Sequence, residues 1–574
     1  MNGRLLFQGY RSSIRATAFA GRNLRPLQAS RKLSSILPKA GSEKSHSSSK
    51  ILTRGGLVIG LALVATTATI WSQSLASPIS NDDERKVTPE ELAKHNTGTD
   101  CWVAINGKVY DLTEFLPQHP GGRNVILKRA GKDASKVFNP IHPPDAISKF
   151  LPADKFVGVL DGELPEEEEV LTDAEIERQE RIANKPPLSS MFNVYDFEYV
   201  AQNILDEAAW AYYSSAADDE ITLRENHFAY HKVFFRPRIL VDVTNIELET
   251  EMLGIKTSAP FYISATALAK LGHPEGEVGI AKGAGRGDII QMISTLASCS
   301  LDETVAAAKE GQSQWFQLYV NSDREVAYNM IKHCEELGIK GIFVTVDAPS
   351  LGNREKDRRM KFTEDTDVDL SGDGKTEVNR SNGAAAALSS FIDTAVTWKD
   401  IAEFKRRTNL PIVIKGIQRT EDVILAAEHG VDGVVLSNHG GRQLDGAPPS
   451  LQVLAECMPV LRQRGLDKKL EVFVDGGIRR GTDIMKALCL GAKGVGLGRP
   501  FLYANSAYGP DGVEKAIDIL KNELIMNMRL LGVTKISDLS PEFVDTRPLF
   551  GLTANDRLFN NNYLDIEFPK FKDE

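Results

Sequence analysis

From about residue 191 the chain repeats one theme. A short apolar or β-branched run ends at a polar residue or a glycine, and a stretch with helical periodicity follows. The runs are PFYISA (260–265), QMIST (291–295), WFQLYV (315–320), GIFVTVDAP (341–349), PIVIKG (411–416), GVVLSNHG (433–440), EVFVDGG (471–477) and GVGLGRPF (494–501). Stretches such as EDVILAAEHG and GTDIMKALCLGA lie between them. Apolar runs without alternation are what parallel strands buried on both faces look like. Eight strand–helix units predict an α/β fold, a (β/α)8 TIM barrel over residues 191–540. A doubly wound open sheet is the alternative.

A barrel makes a specific demand. Its chemistry gathers at the C-terminal strand ends, so the polar residues there must converge. In chain order they are Thr266 between Ala265 and Ala267, Ser294, Gln317 with Tyr319, Thr345 with Asp347, and Lys415. His439 with Arg442, Asp475, and Gly498 with Arg499 complete the set. It holds a base, an acid, hydrogen-bond donors and cations. His439 and Arg442 stand three residues apart, and a base beside a cation suits an anionic substrate; an ordinary loop is the bland reading. The turns DGGIRRG (Gly476, Gly477, Arg479) and GLGRP (Gly498, Arg499) combine glycine with positive charge after the last two strands, the usual phosphate site of this fold. The phosphate could belong to a flavin mononucleotide or to a sugar phosphate. Lys415 suits the pyrimidine side of a flavin, where a cation stabilises the reduced anion; a Schiff-base lysine or a structural ion pair is the competing reading. Residues 360–392, the longest interruption, are polar and rich in Gly, Ala and Ser, and poor order is expected in part of them.

A smaller unit precedes the repeats, over residues 86–162. CWVAINGKVYDLTEFL reads as a hairpin around Asn106-Gly107. QHPGG supplies His119, a helical stretch follows, and NPIHPPDAI supplies His142. Two histidines so separated cannot share a helix face, but they can line opposite walls of a slot. Paired imidazoles across a porphyrin give a six-coordinate iron suited to electron transfer. Residues 163–190 are acidic and then proline-rich, and predict a mobile hinge. Residues 541–574 form a C-terminal tail that could wrap neighbouring subunits.

Charge alters the picture at the start of the chain. Residues 1–54 carry eleven Lys/Arg and one acid, Glu43. The remainder holds 57 basic and 77 acidic side chains, a balance of −20. That excess argues against nucleic acid and favours a basic protein partner, with solubility alone as the plain alternative. The Arg- and Ser-rich start has the composition of a mitochondrial transit peptide. An uncharged run follows at 55–71, at the short limit for a membrane span. Residues 1–80 together resemble the bipartite presequences of the mitochondrial intermembrane space, with cleavage near SLASPIS leaving a soluble mature form. A retained membrane anchor is the alternative. The five cysteines include no CxxC pair, which speaks against a disulfide framework or a zinc site.

The longer motifs carry two resemblances. The run from VTPEEL through CWVAINGKVYDLTEFLPQHPGG resembles the cytochrome b5 family over some 75 residues, which implies heme b with His119 and His142 on its iron. In place of the serine common after the second ligand, Pro143 and Pro144 follow His142. SATAL, QMISTLASCS, FQLYV, VTVDAPSLGNRE, PIVIKGI, SNHGGRQLD, VFVDGGIRRGTD and GLGRPFLY resemble the FMN-dependent 2-hydroxy acid dehydrogenase/oxidase family over about residues 191–540. That resemblance implies His439 as the general base, Asp347 as its carboxylate partner, and Arg442 and Tyr195 on the substrate carboxylate. Tyr319 would bind the substrate hydroxyl, and Arg354 would add positive charge. FMN would be held by Ala265, Thr266, Ala267, Ser294, Gln317, Thr345 and Lys415, and by the turns Asp475 to Arg479 and Gly498-Arg499. Ala267 and Leu296 would border the substrate side chain, leaving room for a methyl group. Together the two resemblances imply oxidation of L-lactate to pyruvate on FMN, with electrons passed singly through heme b to cytochrome c, in a homotetramer. An oxygen-using 2-hydroxy acid oxidase, and a heme carrier or sensor on an inactive barrel, are the rival readings. Hydride and carbanion routes both remain open.

Overall fold

The computed structural model describes residues 85–117, 119, 123–164, 172–365 and 392–551. The predicted presequence, its apolar run 55–71, most of the interruption at 360–392 and most of the tail lie outside them. Among the described residues no helix is long and apolar enough to cross a membrane.

Eight parallel strands close into a barrel. They are Phe261–Ile263, Gln291–Ser294, Gln314–Leu318, Ile342–Thr345, Ile412–Ile417, Gly433–Leu436, Glu471–Asp475 and Gly494–Leu497, here strands one to eight. Each pairs with its sequence neighbour, and strand eight closes on strand one through Val495–Phe261 and Leu497–Ile263. The barrel prediction therefore holds, and the open-sheet alternative fails at that closure. Nearly every residue of these strands is buried, as sheets covered on both faces require.

An aromatic plug fills the barrel. Tyr262, Trp315, Phe343 and Phe473, from strands one, three, four and seven, are fully buried and stack at centroid distances of 4.8 to 6.4 Å. Edge-to-face and tilted pairs of this kind suit the aromatic quadrupole. A short hairpin, Thr250–Met252 with Ile255–Thr257, closes the lower end and adds buried Met252 to the plug. The upper ends are left to polar residues.

Between residue 191 and the barrel lie the helices Val194–Ile204, Glu207–Ser214 and Ile221–His231. The final helix, Arg499–Leu531, breaks its helical dihedrals at Tyr508 and Gly509, just before Pro510, as a proline inside a helix requires.

The hinge is shorter than its composition predicts. Helix Asp173–Ala183 occupies much of residues 163–190. Arg178 and Arg181 donate to Ile204 O and Asn203 O at 2.9 and 2.8 Å. They cap the C-terminal end of helix Val194–Ile204, where cations and donors are favoured. Lys185 Nζ donates to Ala507 O and Tyr508 Oη to Pro186 O. Composition registers acidity and proline but not these docking bonds.

The small unit is a five-stranded sheet with short helices. Strands Asp100–Ile105 and Lys108–Asp111 form the predicted hairpin. Both turn residues, Asn106 and Gly107, have positive φ, 52° and 77°, the geometry that makes Asn-Gly a hairpin signal.

Trp315→Ala is expected to destabilise the barrel by about 3–5 kcal/mol, because the plug cannot collapse into the space left. Chemical denaturation followed by far-UV circular dichroism checks this; a loss below about 1 kcal/mol would show that the plug does not bear on stability.

Candidate active site

The strand ends bring together most of the predicted residues. Asp347, just past strand four, is buried, its side chain only 1% exposed. Its Oδ1 accepts from His439 Nδ1 at 2.9 Å. His439 sits past strand six in a left-handed conformation, φ 59°, which is uncommon outside glycine. Its amide donates to Ser437 Oγ at 3.0 Å, and Gly441 N donates to Asn438 Oδ1, so the strained turn is pinned on both sides. The outcome is a ring with Nδ1 committed to Asp347 and Nε2 facing Tyr319 Oη at 3.3 Å.

Gly416 explains how strand five comes so close. Its φ is 112°, and a Cβ there would lie 2.5 Å from the Asp347 side chain. Only glycine lets the backbone after Lys415 pass beneath the carboxylate. Lys415 Nζ meets Ser437 Oγ at 3.2 Å and Asp475 Oδ2 at 3.5 Å.

The charges set the protonation states. Burial pulls the His439 imidazole down, and Asp347 offsets this only in part, so its pKa is lowered and the resting ring is neutral. Burial pushes the Asp347 carboxyl up, but His439 and Lys415 outweigh it, and the group stays below the usual carboxylate range. Burial likewise pulls at Lys415, yet Asp475 and Asp347 outweigh it and its pKa is raised. Burial, aided by Asp347, pushes the Tyr319 phenol up to about 12, so it remains a donor.

Two guanidinium groups, Arg354 and Arg442, act on each other nearby, and neither forms an ion pair among the described residues. Arg354 is 4% exposed, and its Nε is buried with no hydrogen-bond partner among the described residues. Burial and the charge of Arg442 pull it down to about 10. Arg442 Nη1 donates to Tyr212 O and Ser215 O, at 2.8 and 3.1 Å, and its guanidinium lies 5.0 Å from the Tyr212 ring centroid. A small anion would answer both cations at once.

Tyr195 is placed differently from the prediction. Its hydroxyl lies 3.1 Å from His227 Nε2, and His227 Nδ1 donates to Gly477 O at 3.3 Å. It therefore braces the turn after strand seven. The tyrosine beside Arg442 is Tyr212, within electrostatic reach of Tyr319 and Arg354 as well. The signal that could have found it is the doublet in WAYYSS, at the end of a helix leading to the barrel mouth.

The remaining predicted residues form a polar rim. Ser294 Oγ donates to Gln317 Oε1, and Gln317 Nε2 to Thr345 Oγ1, at 3.2 and 2.9 Å, linking strands two, three and four. Gly476 and Gly477 both have positive φ, 98° and 81°. Arg499 donates to Tyr213 O, Gly440 O and Ser215 O, and burial pulls it down to about 10. Arg479 is engaged with Glu198 Oε2 at 3.5 Å. Ala265 packs on the barrel plug, Leu296 packs against the cluster of Tyr319, Ala348 and Ile392, and Ala267 lies on the strand-one loop. Asp475 Oδ1 and Ser264 Oγ are buried without hydrogen-bond partners among the described residues. Orphaned polar atoms beside a buried ammonium fit the polar edge of a flavin, with Lys415 against its pyrimidine side.

The small unit offers a second site. His119 and His142 face each other at a ring-centroid distance of 6.1 Å. Metal–imidazole bonds of about 2.0 Å on each side, plus the ring radii, ask for roughly 6 Å. His142 Nδ1 donates to Phe138 O at 3.2 Å, and its ring stacks on Phe138 at 4.3 Å. That bond fixes the tautomer and leaves Nε2 as the lone-pair donor. The glycines of HPGG lie outside the described residues.

Comparisons with known proteins give the family of each part of the chain. Residues 201–546 match the FMN-dependent dehydrogenase family, and residues 88–161 the cytochrome b5-like heme/steroid binding domain. An L-lactate dehydrogenase (cytochrome) of Wickerhamomyces anomalus is 59% identical over 521 residues, covering 90% of each chain. The enzyme of the same name from Saccharomyces cerevisiae is 53% identical over 558 residues, 94% of each chain. The solved flavin-binding domain of baker's yeast flavocytochrome b2 is 56% identical, with a TM-score of 0.62, covering 70% of this chain and all of that one. FMN and heme are thus the cofactors of the two sites, and the chain belongs to the FMN-dependent dehydrogenase family, with a cytochrome b5-like domain ahead of its barrel.

Proposed function

We propose that this chain oxidises L-lactate to pyruvate on FMN and passes the electrons singly through heme b to cytochrome c. The observation that carries the reading is the neutral His439 Nε2, 3.3 Å from Tyr319 Oη, beside two guanidinium groups, Arg354 and Arg442, that form no ion pair among the described residues. A 2-hydroxy acid supplies what each group needs. Its carboxylate answers Arg354 and Arg442, with Tyr212 at their side. Its hydroxyl meets Tyr319 and His439. Nε2 takes the proton released on oxidation, and Asp347 stabilises the imidazolium through Nδ1–H. Gln317, Thr345, Ser294 and Lys415 would hold the flavin, and the turns after strands seven and eight its phosphate. FMN, when bound, accepts the electron pair that leaves the substrate α-carbon. His119 and His142 would hold the heme iron, whose chemistry is transfer of one electron at a time.

Leu296, packed against the cluster that holds Tyr319, and Ala267 would border the substrate side chain, which favours a small acid such as lactate. The names of the relatives support both the substrate and a cytochrome acceptor. The acidic excess beyond residue 54 suits a basic partner such as cytochrome c. We place the mature enzyme in the mitochondrial intermembrane space, on the Arg-rich, acid-poor start and the apolar run that follows it. The homotetramer rests on the family resemblance.

Anaerobic stopped-flow mixing of the holoenzyme with L-lactate is expected to bleach the flavin first and reduce the heme second. Flavin reduction with no heme reduction would favour an oxygen-using oxidase instead. His439→Gln is expected to lower turnover by about 10²–10⁴-fold or more, with FMN and heme content retained. Turnover within a few-fold of the parent would remove His439 as the base.

A further inference from the structure

Glu277 lies outside the cluster above, in helix Gly276–Arg286 behind strand one, and is 2% exposed. No ion pair to it exists among the described residues. Its carboxylate instead collects four donors. Oε1 accepts from Ala269 N and Ser298 N at 2.9 and 3.1 Å, and Oε2 from Ser298 Oγ and Cys299 N at 2.8 and 3.0 Å. Ala269 belongs to the loop after strand one, and Ser298 and Cys299 to the loop after strand two. One carboxylate thus ties two loops at the mouth of the barrel.

The tie is reinforced from both sides. Lys270 N donates to Ser298 Oγ at 2.9 Å, and Leu268 N to Leu296 O at 3.3 Å. Gly276 has φ 50°, and a Cβ there would stand 2.7 Å from Lys270 Cγ and 3.1 Å from Cys299 Sγ, so the helix start fits closely between the loops. Leu268 is held at φ 59°, a conformation leucine rarely adopts unless its surroundings impose it. The bonds on either side of it, from Ala269 N to Glu277 and from Tyr213 Oη to Leu268 O at 2.6 Å, impose it here. The two loops carry Ala267 and Leu296. Leu296 packs against the cluster of Tyr319, Ala348 and Ile392, and the Tyr319 hydroxyl faces the base.

We infer that Glu277 is a positioning residue that sets the size of the substrate side-chain pocket, by holding the Leu268 and Leu296 loops together. The inference rests on the reading that Tyr319 and His439 receive a 2-hydroxy acid. Glutamine at 277 would turn an NH2 group toward two donors and leave them unpaired. Leu268 would then relax, and the pocket would loosen around the substrate side chain rather than around the base.

The test uses the full-length holoenzyme, with L-lactate and L-2-hydroxyhexanoate as substrates and a one-electron dye as acceptor. In Glu277→Gln the preference for lactate, as the ratio of the two kcat/KM values, is expected to fall by about tenfold, the low end of what one methylene is worth in an apolar pocket. The change should lie in the KM for lactate more than in kcat, which a general loss of folded enzyme would not produce. Ser298→Ala removes one of the four donors and should shift the ratio in the same direction by less; it carries the test if the glutamine variant does not fold. An unchanged ratio in the folded variants overturns the inference. A parent enzyme that fails to oxidise either acid overturns the functional reading instead.

Discussion

Everything at the barrel mouth is organised around one buried carboxylate. Asp347 is almost inaccessible, and a charge so placed must be answered by opposite charge and hydrogen bonds. His439 answers it from strand six and Lys415 from strand five. The strand pairing makes this possible, because Thr345 pairs with Lys415, and Lys415 with Val435. Gly416 supplies the remaining clearance. Removing Asp347 would leave a neutral imidazole without its orienting partner and shift the charge around Lys415.

The wider balance of charge shows what the site wants. Lys415, Arg354, Arg442 and Arg499 crowd a region whose carboxylates Asp347, Asp475, Asp357 and Glu220 offset them only in part, since Arg354 and Arg499 are both pulled down to about 10. The depressed guanidinium groups mark positive charge that is not fully answered within the protein. An anionic substrate and a flavin that becomes anionic on reduction both relieve it. The heme pair works on another principle: burial pulls the His142 imidazole down to about 4, and its ring stacks on Phe138. One site gathers charge to bind and polarise; the other keeps two lone pairs ready for a metal.

The barrel was legible because buried parallel strands must be apolar on both faces, and that requirement writes itself into runs such as GIFVTV and GVVL. The convergence of the candidate site residues was legible because those runs end abruptly in polar side chains. Asn106-Gly107 was legible because few other pairs tolerate two positive φ angles. Tyr212 was passed over in favour of Tyr195 because both lie in helices before the barrel, where no strand end marks direction. Their separation depends on how those helices cross the mouth, which only packing decides. The docked helix Asp173–Ala183 was hidden for a similar reason: its arginines read as surface charge until their acceptor carbonyls are in place. Glu277 looks like an ordinary helix-face acid in the sequence, since its four donors come from two separate loops.

The central claim is that Asp347 orients His439, which burial keeps neutral at rest, and stabilises the imidazolium it becomes. The most direct measurement is the pH dependence of kcat/KM for L-lactate in the parent and in Asp347→Asn. Burial lowers the His439 pKa, so activity should rise with pH and level off below the ordinary imidazole value of about 6.5. Without the carboxylate the imidazolium loses its stabilising partner, so the rising limb should move further to acid while the rate falls by about 10²–10⁴-fold. A parent limb centred well above 6.5, or an asparagine variant of near-parent rate, would contradict the account.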